Sequence, residues 1–433
     1  MSPNRRSTVG PFTPENPQPR NAFASTVHGL EDLAADELAE LGTRVRSVRK
    51  RQVLIAAPTL TGVPRTVDDL LVQVAETADP GPTKPDLARL WPLLDAADLA
   101  PVAADFASGE PVLTVSASIG ASIGGRRTYN RHDLEAVVGA FLAERLGARF
   151  ATRSGGARPP LGAAEWRAVL GPEGLLLGYR GRRPPLHRRP WKTASIPGTL
   201  HPPVAAAMAR LAGIEAGMTV LDPCCGAGTI LVEAAELAPG AYVSGSDLDP
   251  AAIAAAAVNI SEFSGAAASA IGNPATPVAA GSTPESIPAS MVGELAAPAG
   301  AAGGTSGHTG AFASMAGDPA GLDAHAAGDT GHRRIALATA DAARLPVPTG
   351  SVDRIVTNPA WGRQVAERRG FGALLAEWRR IIARDGRLVC LIPQELLGHF
   401  DTGRWKLAET RTLSLSGRHP VVVVAEPRFR PGA

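Results

Sequence analysis

Strand-like and helix-like segments alternate through the back half of this chain, and that alternation restricts its fold more than any other feature. Short apolar strands separated by helices are typical of a mostly parallel, doubly wound α/β sheet. A last strand-like pair, 410–415 and 421–426, predicts a hairpin that closes the sheet. The other predicted strands are 219–222, 241–247, 335–339, 352–357 and 388–393, and the predicted helices are 229–237, 250–259 and 371–383.

The alternation is interrupted by residues 262–333, whose composition differs from that of the rest of the chain. The segment is dominated by Ala, Gly, Ser, Pro and Thr, contains no Lys, Trp or Tyr, and has no Arg before Arg333. Such a sequence buries too little apolar surface to offset the entropy lost on ordering. We expect a flexible insertion that loops out of one domain, because the flanking pieces complete a single sheet pattern.

The sequence of the front half predicts a disordered N-terminal segment at 1–20, followed by two small α+β units at 21–110 and 111–185. Apolar–polar alternation indicates strands, and longer apolar periodicity indicates helices. The predicted strands are 22–27, 52–56, 112–117, 166–170 and 174–179, and the predicted helices are 30–41, 67–77 and 131–146.

The formal charge is unevenly distributed, although the whole chain has a net charge of only +2. Residues 121–192 hold 14 basic and 5 acidic side chains, a net charge of +9. A basic front half beside a near-neutral back half indicates a polyanion-binding module joined to a catalytic one. The alternative is an ordinary solvated basic surface.

Cysteine usage and hydropathy exclude several classes of protein. The chain has three cysteines, with no C-x-x-C pair and no accompanying His cluster. We therefore expect neither a disulfide framework nor a metal site. No run approaches the roughly 20 apolar residues of a membrane helix, and no secretory stretch is recognisable. The prediction is a cytoplasmic protein without a membrane partner, with a monomer as the default.

A glycine turn follows the first strand of the back half. Asp222 ends that strand, and the turn 226–228, with the sequence Gly-Ala-Gly, leads into the next helix. Two glycines allow a tight turn and close approach of a ligand to the backbone. Asp247 ends the second strand, where a carboxylate can bind both hydroxyls of a ribose. Because the third glycine of G-x-G-x-x-G is missing, the pattern favours S-adenosylmethionine (SAM) over NAD.

Other residues of this loop and of the third strand's end complete the predicted cofactor site. Asp341 either holds the adenine amino group, with Ala342 supplying backbone, or caps a helix. Asp249 is expected to cap the helix that begins at Pro250. The cysteines of the loop are expected to pack rather than react, because no activating base is identifiable. The predicted cofactor-binding residues are Asp222, Cys224, Gly226, Ala227, Gly228, Thr229, Asp247, Leu248, Asp341 and Ala342.

The fourth strand of the back half ends in a second motif, Asn358-Pro359-Ala360-Trp361. An exocyclic amine on a base is a poor nucleophile, since its lone pair is delocalised into the ring. The Asn358 side-chain oxygen and the Pro359 carbonyl oxygen can accept its two hydrogens and turn the lone pair toward a SAM methyl. Trp361 can stack on the base. The alternative is an ordinary Asn-Pro turn.

These motifs resemble those of THUMP-domain-containing class I SAM-dependent RNA (guanine-N2) methyltransferases. D-P-C-C-G-A-G-T at 222–229 is similar to the family's D-P-x-C-G-x-G-T loop, and N-P-A-W at 358–361 to its (N/D)-P-P-(Y/F/W) motif. The stretch 186–200, from Leu-His-Arg-Arg-Pro-Trp to Pro-Gly-Thr-Leu, resembles the linker into the family's catalytic domain. Residues 22–41 resemble the start of its front module. Ala360 departs from the second proline of the motif.

The resemblance implies a Rossmann-like class I methyltransferase sheet preceded by an α+β RNA-binding module. The implied domains are ferredoxin-like at 21–110, THUMP-like at 111–185 and catalytic at 186–433. The implied reaction is transfer of a methyl group from SAM to the N2 of a tRNA guanine, with the front module gripping the acceptor end. A basic cluster would contact phosphates, or would simply stay solvated. Its members are Arg180, Arg182, Arg183, Arg188, Arg189 and Lys192.

Several alternatives stay open at this point. The same chemistry could act on a ribosomal RNA guanine, on an adenine N6 or on a glutamine side chain of a protein, although the basic front half disfavours the last. A non-catalytic RNA-binding or assembly factor could also retain the fold, and Ala360 is the feature that favours this alternative.

Overall fold

The computed structural model describes residues 21–56, 60–120, 125–271, 335–359 and 370–429, without the side chains of 266–271. The chain divides into two compact units. The first consists of the residues up to Arg189 with His201–Ala207 and Arg411–Val422. The second consists of Pro190–Leu200, Met208–Thr410 and the residues from Val423 onward.

The first unit contains an eight-stranded sheet with the strand order β2-β3-β1-β4-β8-β7-β5-β6. β5 pairs in parallel with β6 and β7, and the other neighbouring pairs are antiparallel. The β4–β8 pairing joins strands from both predicted front domains into this one sheet. The strands are β1 (Asn21–Ser25), β2 (Arg44–Arg49), β3 (Gln52–Ala56), β4 (Asp69–Thr77), β5 (Val112–Ile119), β6 (Arg149–Phe150), β7 (Ala164–Gly171) and β8 (Gly174–Gly181).

Helices of the first unit pack against this sheet. The apolar residues of α1 join Ala22, Ala24 and Ile55 in one core cluster. A larger cluster contains Phe141 of α3 together with Trp166 of β7. Burial alternates strictly along β7, so a single face of that strand supplies this core. The helices are α1 (Glu31–Glu40), α2 (Leu90–Leu94) and α3 (Arg131–Leu146), with short 3₁₀ turns at Lys84–Arg89, Ala100–Phe106 and Ser154–Gly156.

One sequence prediction in this unit is wrong. Residues 67–77 were expected to be helical, but Asp69–Thr77 is strand β4. Leu70 and Val72 pack in clusters on one side of the sheet, whereas Leu71 belongs to a separate cluster with Phe23. A strand buried on both faces loses its apolar–polar alternation, so its nearly continuous apolar run resembles a buried helix.

The back half forms a seven-stranded sheet with the order β11-β10-β9-β12-β13-β15-β14. The pairs β9–β10, β10–β11, β9–β12 and β12–β13 are parallel. From β9 the chain proceeds outward through β10 and β11, then returns to the other side of β9 with β12. This reversal creates a topological switch point between β9 and β12. The strands are β9 (Thr219–Asp222), β10 (Tyr242–Asp247), β11 (Ile335–Thr339), β12 (Val352–Thr357), β13 (Ile382–Ile392), β14 (Trp405–Thr412) and β15 (Val421–Pro427).

The helices of the back half follow the predicted alternation, which confirms the doubly wound α/β class. The helix after β10 begins at Pro250 as expected but continues to Ile271, beyond the predicted end at Asn259. The rest of the predicted insertion, 272–333, lies outside the described residues. The helices are α4 (Pro202–Ala212), α5 (Thr229–Leu237), α6 (Pro250–Ile271) and α7 (Phe371–Ile381), with a 3₁₀ turn at Gln394–Phe400.

Within the described ranges, no helix has both the length and the apolar character needed to cross a bilayer. The same part of the chain contains no group of three or more His, Cys, Asp or Glu side chains arranged to hold a metal ion.

Candidate active site

Two loops of the second unit flank the switch point of its sheet. One follows β9 and contains the glycine turn, and the other follows β12 and begins with Asn358. Because β9 and β12 are parallel neighbours, both loops leave the same edge of the sheet. The structure therefore brings together the two motifs that the sequence analysis selected, and open α/β sheets bind ligands at such an edge.

The glycine turn has the backbone conformation that its sequence predicts. Gly226 has φ of 52° and Gly228 has φ of 75°, values that side chains with a Cβ rarely adopt. A Cβ on Gly228 would lie 3.1 Å from the Cβ of Ala256 in α6. Gly228 therefore permits both the left-handed turn into α5 and the close approach of α6.

Asp247 lies beside this turn at the end of β10. Its Oδ2 accepts a hydrogen bond from the Gly226 amide at 2.9 Å, and its Oδ1 accepts one from the Asp249 amide at 3.0 Å. The half-buried carboxylate thus fixes the glycine turn while its remaining lone pairs can accept ribose hydroxyls. Asp249 caps α6, accepting from the Ala251 amide at 2.9 Å.

Asp222 is buried at the end of β9, only 1% exposed. Its Oδ1 accepts a hydrogen bond from the Cys224 amide at 3.1 Å. Burial raises the pKa of Asp222 to about 7, and the nearby Asp247 carboxylate contributes to the increase. Burial also raises the pKa values of the Cys224 and Cys225 thiols well above their ordinary value. Both thiols are therefore protonated at neutral pH, which agrees with their predicted packing role.

Asp341 follows β11 and stabilises a turn rather than a helix. Its Oδ1 accepts from the Ala343 amide at 2.9 Å, and no helix begins there. The helix-cap alternative is therefore wrong, because the chain turns back into an isolated bridge with Arg344. Glu377 of α7 accepts the Leu345 amide at 2.7 Å and holds the next part of this loop in place.

The side chain of Asn358, the first residue after β12, belongs to the second loop of the site. Its side-chain Oδ1 is buried and has no hydrogen-bond partner among the described residues. A buried acceptor without a donor is unfavourable unless a ligand supplies one. Pro359 is also buried. Trp361, the predicted stacking residue, lies outside the described residues, as does Ala360.

Two more buried oxygens near the glycine turn lack partners in the described part of the chain. They are Oγ1 of Thr229, the first residue of α5, and Oγ of Ser246, which immediately precedes Asp247. Together with the two glycines, they fit a polar ligand lying against the loop.

The predicted phosphate-binding cluster is divided by the structure. Arg180 is 9% exposed and pairs with Asp69 at 3.0 Å and with Glu165. Arg183 donates to the other Asp69 oxygen at 2.9 Å. The remaining members differ in exposure. Arg189 is buried and donates to two carbonyls, Lys192 donates to the Leu200 carbonyl, and Arg182 and Arg188 are exposed.

Asn259 of α6 is fully buried and was not among the residues predicted from the sequence. Its amide contacts both the glycine turn and the segment before α4. The only available signal was an uncharged polar residue in an alanine-rich helix, at the position where the helix was expected to end.

Comparison with known proteins identifies the region that contains the glycine turn. Residues 189–266 match the family described as UPF0020, RMKL-like, methyltransferase domain. This stretch is therefore similar to a methyltransferase domain.

Relatives with assigned names match longer or shorter parts of the chain. The U6 snRNA (guanine-N(2))-methyltransferase THUMPD2 of Bos taurus is 26% identical over 257 residues, covering 59% of this chain and 37% of that protein. The tRNA (guanine(6)-N2)-methyltransferase of Thermus thermophilus is 45% identical over 78 residues, covering 18% of this chain and 23% of that protein. The matches therefore span well under half the length of either relative.

A solved structure extends the similarity to nearly the whole chain. The crystal structure of TrmN from Thermus thermophilus has a TM-score of 0.62 and 24% identity, covering 94% of this chain and 99% of that one. Together the comparisons confirm the predicted resemblance to SAM-dependent RNA guanine-N2 methyltransferases, and the class I methyltransferase fold.

Proposed function

We propose that this chain transfers a methyl group from SAM to the exocyclic N2 of a guanine in RNA, with tRNA as the preferred substrate. The observation that carries the proposal is the buried Oδ1 of Asn358, which has no partner among the described residues and lies at the same sheet edge as the glycine turn. Both relatives named above are described as guanine-N2 methyltransferases, which supports the same atom as the target.

The residues around the glycine turn suit SAM. The glycine turn carries no side chain at Gly226 or Gly228, so its backbone can approach a ligand closely, and Asp247 can accept ribose hydroxyls. Thr229 and Ser246 supply buried oxygens that lack partners among the described residues. The adenine contact is proposed for Asp341 with Ala342. SAM supplies an electrophilic methyl group on a sulfonium.

The acceptor side of the reaction depends on orientation. Asn358 Oδ1 would accept one N–H of the guanine amine, and the Pro359 carbonyl would accept the other. These two acceptors orient the nitrogen lone pair and stabilise the positive charge that develops on the nitrogen. Stacking of the base on Trp361 belongs to the same proposal.

RNA binding is assigned to the front half of the chain, as the ferredoxin-like and THUMP-like domains of the resemblance imply. Because Arg180 and Arg189 are buried and Arg183 pairs with Asp69, the phosphate contacts are best placed on the exposed Arg188 and on the exposed Arg182, which also donates to the Asp105 carbonyl at 3.2 Å. The domain boundaries, a cytoplasmic location and a monomeric state stay predictions.

The test is transfer of a tritiated methyl group from SAM to total RNA of a host that lacks this gene, followed by nucleoside analysis. Label in N2-methylguanosine of the tRNA fraction is the expected result. Label in ribosomal or small nuclear RNA, or in methyladenosine, would retain the chemistry and change the substrate. SAM binding without labelled RNA would contradict an RNA substrate, and absence of both would favour a non-catalytic factor.

A further inference from the structure

Asn259 uses the whole hydrogen-bonding capacity of its amide inside the second unit. Its Oδ1 accepts from the Thr193 amide at 3.0 Å and from the Ala194 amide at 2.9 Å. Its Nδ2 donates to the Ala194 carbonyl at 3.0 Å and to the Ala227 carbonyl at 2.8 Å. The side chain is 0% exposed, and its bond to the Ala227 carbonyl is buried, whereas the three bonds to Thr193 and Ala194 are partly buried.

These bonds join two pieces of backbone that are far apart in sequence. Ala227 is the central residue of the glycine turn, and 193–194 belong to the segment that precedes α4. A Cβ placed on Gly226 would lie 3.7 Å from Cδ1 of Ile196, so the segment continues along the turn. A Cβ placed on Gly228 would lie 3.1 Å from that of Ala256, which is about one helical turn before Asn259, so α6 packs closely on the turn here as well. One face of α6 therefore holds both pieces.

We propose that Asn259 is a positioning residue that fixes the segment 193–196 against the glycine turn, so that the two together line the SAM pocket. The inference rests on the proposed function, since it assigns the cofactor to this turn. The segment 193–196 would then form a second side of the pocket, and Asn259 would set the distance between this segment and the glycine turn.

The physical requirement is specific to a neutral amide. A carboxylate of the same shape at position 259 could still accept from the two amides. It would, however, direct an oxygen at the carbonyls of Ala194 and Ala227, which now receive donors. The turn and the segment would separate, because a buried contact between acceptors is unfavourable. The rest of α6 would keep its packing.

The experiment measures S-adenosylhomocysteine binding to the full chain by calorimetry, at a temperature where every variant is fully folded by circular dichroism. The variant is Asn259→Asp. The control is Val352→Ala, which removes buried side-chain volume at the amino end of β12, the edge opposite the site. The control reports what loss of stability alone does to binding.

Asn259→Asp should bind S-adenosylhomocysteine about tenfold or more weakly than the unchanged chain does. The affinity of Val352→Ala should stay within about twofold of that of the unchanged chain. Equal affinity of Asn259→Asp and the unchanged chain would overturn the positioning role. Equal weakening of both variants would also overturn it, because stability would then explain the loss. No binding by the unchanged chain would refute the cofactor assignment itself, and the inference with it.

A second measurement on the unchanged chain covers the case in which Asn259→Asp does not fold. Saturating S-adenosylhomocysteine should slow hydrogen exchange of the Thr193 and Ala194 amides about tenfold, because ligand in the pocket would hold both of its sides together. Unchanged exchange at these two amides, with ligand bound as judged by calorimetry, would overturn the proposal.

Discussion

Asn358 contributes a side-chain acceptor whose partner the described part of the protein does not supply. Replacing it in the variant Asn358→Ala should lower the rate of methyl transfer about a hundredfold, because the amine loses an orienting acceptor. SAM affinity should stay nearly unchanged, since the glycine turn and Asp247 are untouched. Single-turnover transfer of labelled methyl and calorimetric binding measure the two effects separately.

The matched control is Asn358→Asp, which keeps an acceptor oxygen at the same position. It should retain more activity than the alanine variant. A strong loss of SAM binding in Asn358→Ala would contradict the role assigned to the side chain.

Asp222 makes the stability of the fold depend on pH. Burial raises its pKa to about 7, so between roughly pH 4 and pH 7 the unfolded chain has released a proton that the folded chain keeps. The free energy of unfolding therefore decreases as pH rises through this range. Asp222→Asn should remove this dependence, so the stability that it gains over the unchanged chain should be about 3 kcal/mol larger at pH 8 than at pH 5.

Denaturant titrations of both proteins at several pH values measure the difference, in which the other titrating groups cancel. If the two curves of stability against pH ran parallel, Asp222 would titrate as an ordinary exposed carboxylate.

At the scale of elements, the packing of α5 against α6 depends on a glycine. Gly228→Ala should lower the free energy of unfolding by about 1–2 kcal/mol, because an alanine is strained at φ of 75°. A further loss should come from crowding, because the new Cβ would lie 3.1 Å from that of Ala256. Gly217→Ala is the control, since φ is 84° there and no heavy atom lies within 4 Å of the added Cβ. Equal melting temperatures for the two variants would show that the helix contact carries no cost.

Elements with a clear period were predictable, and elements shaped by neighbours were not. The bounds of α3 were predicted from its apolar pattern alone, and the structure adds the cap: Asn130 accepts the His132 and Asp133 amides. β4 was predicted as a helix because both of its faces are buried, a property that depends on which strands flank it.

At the scale of the whole molecule, the prediction that 262–333 is a flexible insertion can be tested by deletion. Removing 277–329 leaves ten of the residues between Ile271 and Ile335, enough to span roughly 30 Å. We expect an unchanged melting temperature, because the deleted sequence has too few large apolar side chains to form a core. Removing 262–333 should lower it, since Phe263 of α6 is buried at 5% exposure. A lower melting temperature after the shorter deletion would show that the segment is structural.

The sequence by itself determined the α/β alternation, the glycine turn, the carboxylate after the second strand and the asparagine after the fourth. Each of these depends on residue type and on local order along the chain, because period, turn chemistry and strand ends are short-range properties. Tertiary structure alone decided which basic residues are exposed, that Asp222 is buried enough to shift its pKa, and that Asn259 joins two distant backbone segments. Burial and long-range hydrogen bonds depend on residues far apart in sequence that only folding brings together, so no local pattern encodes them.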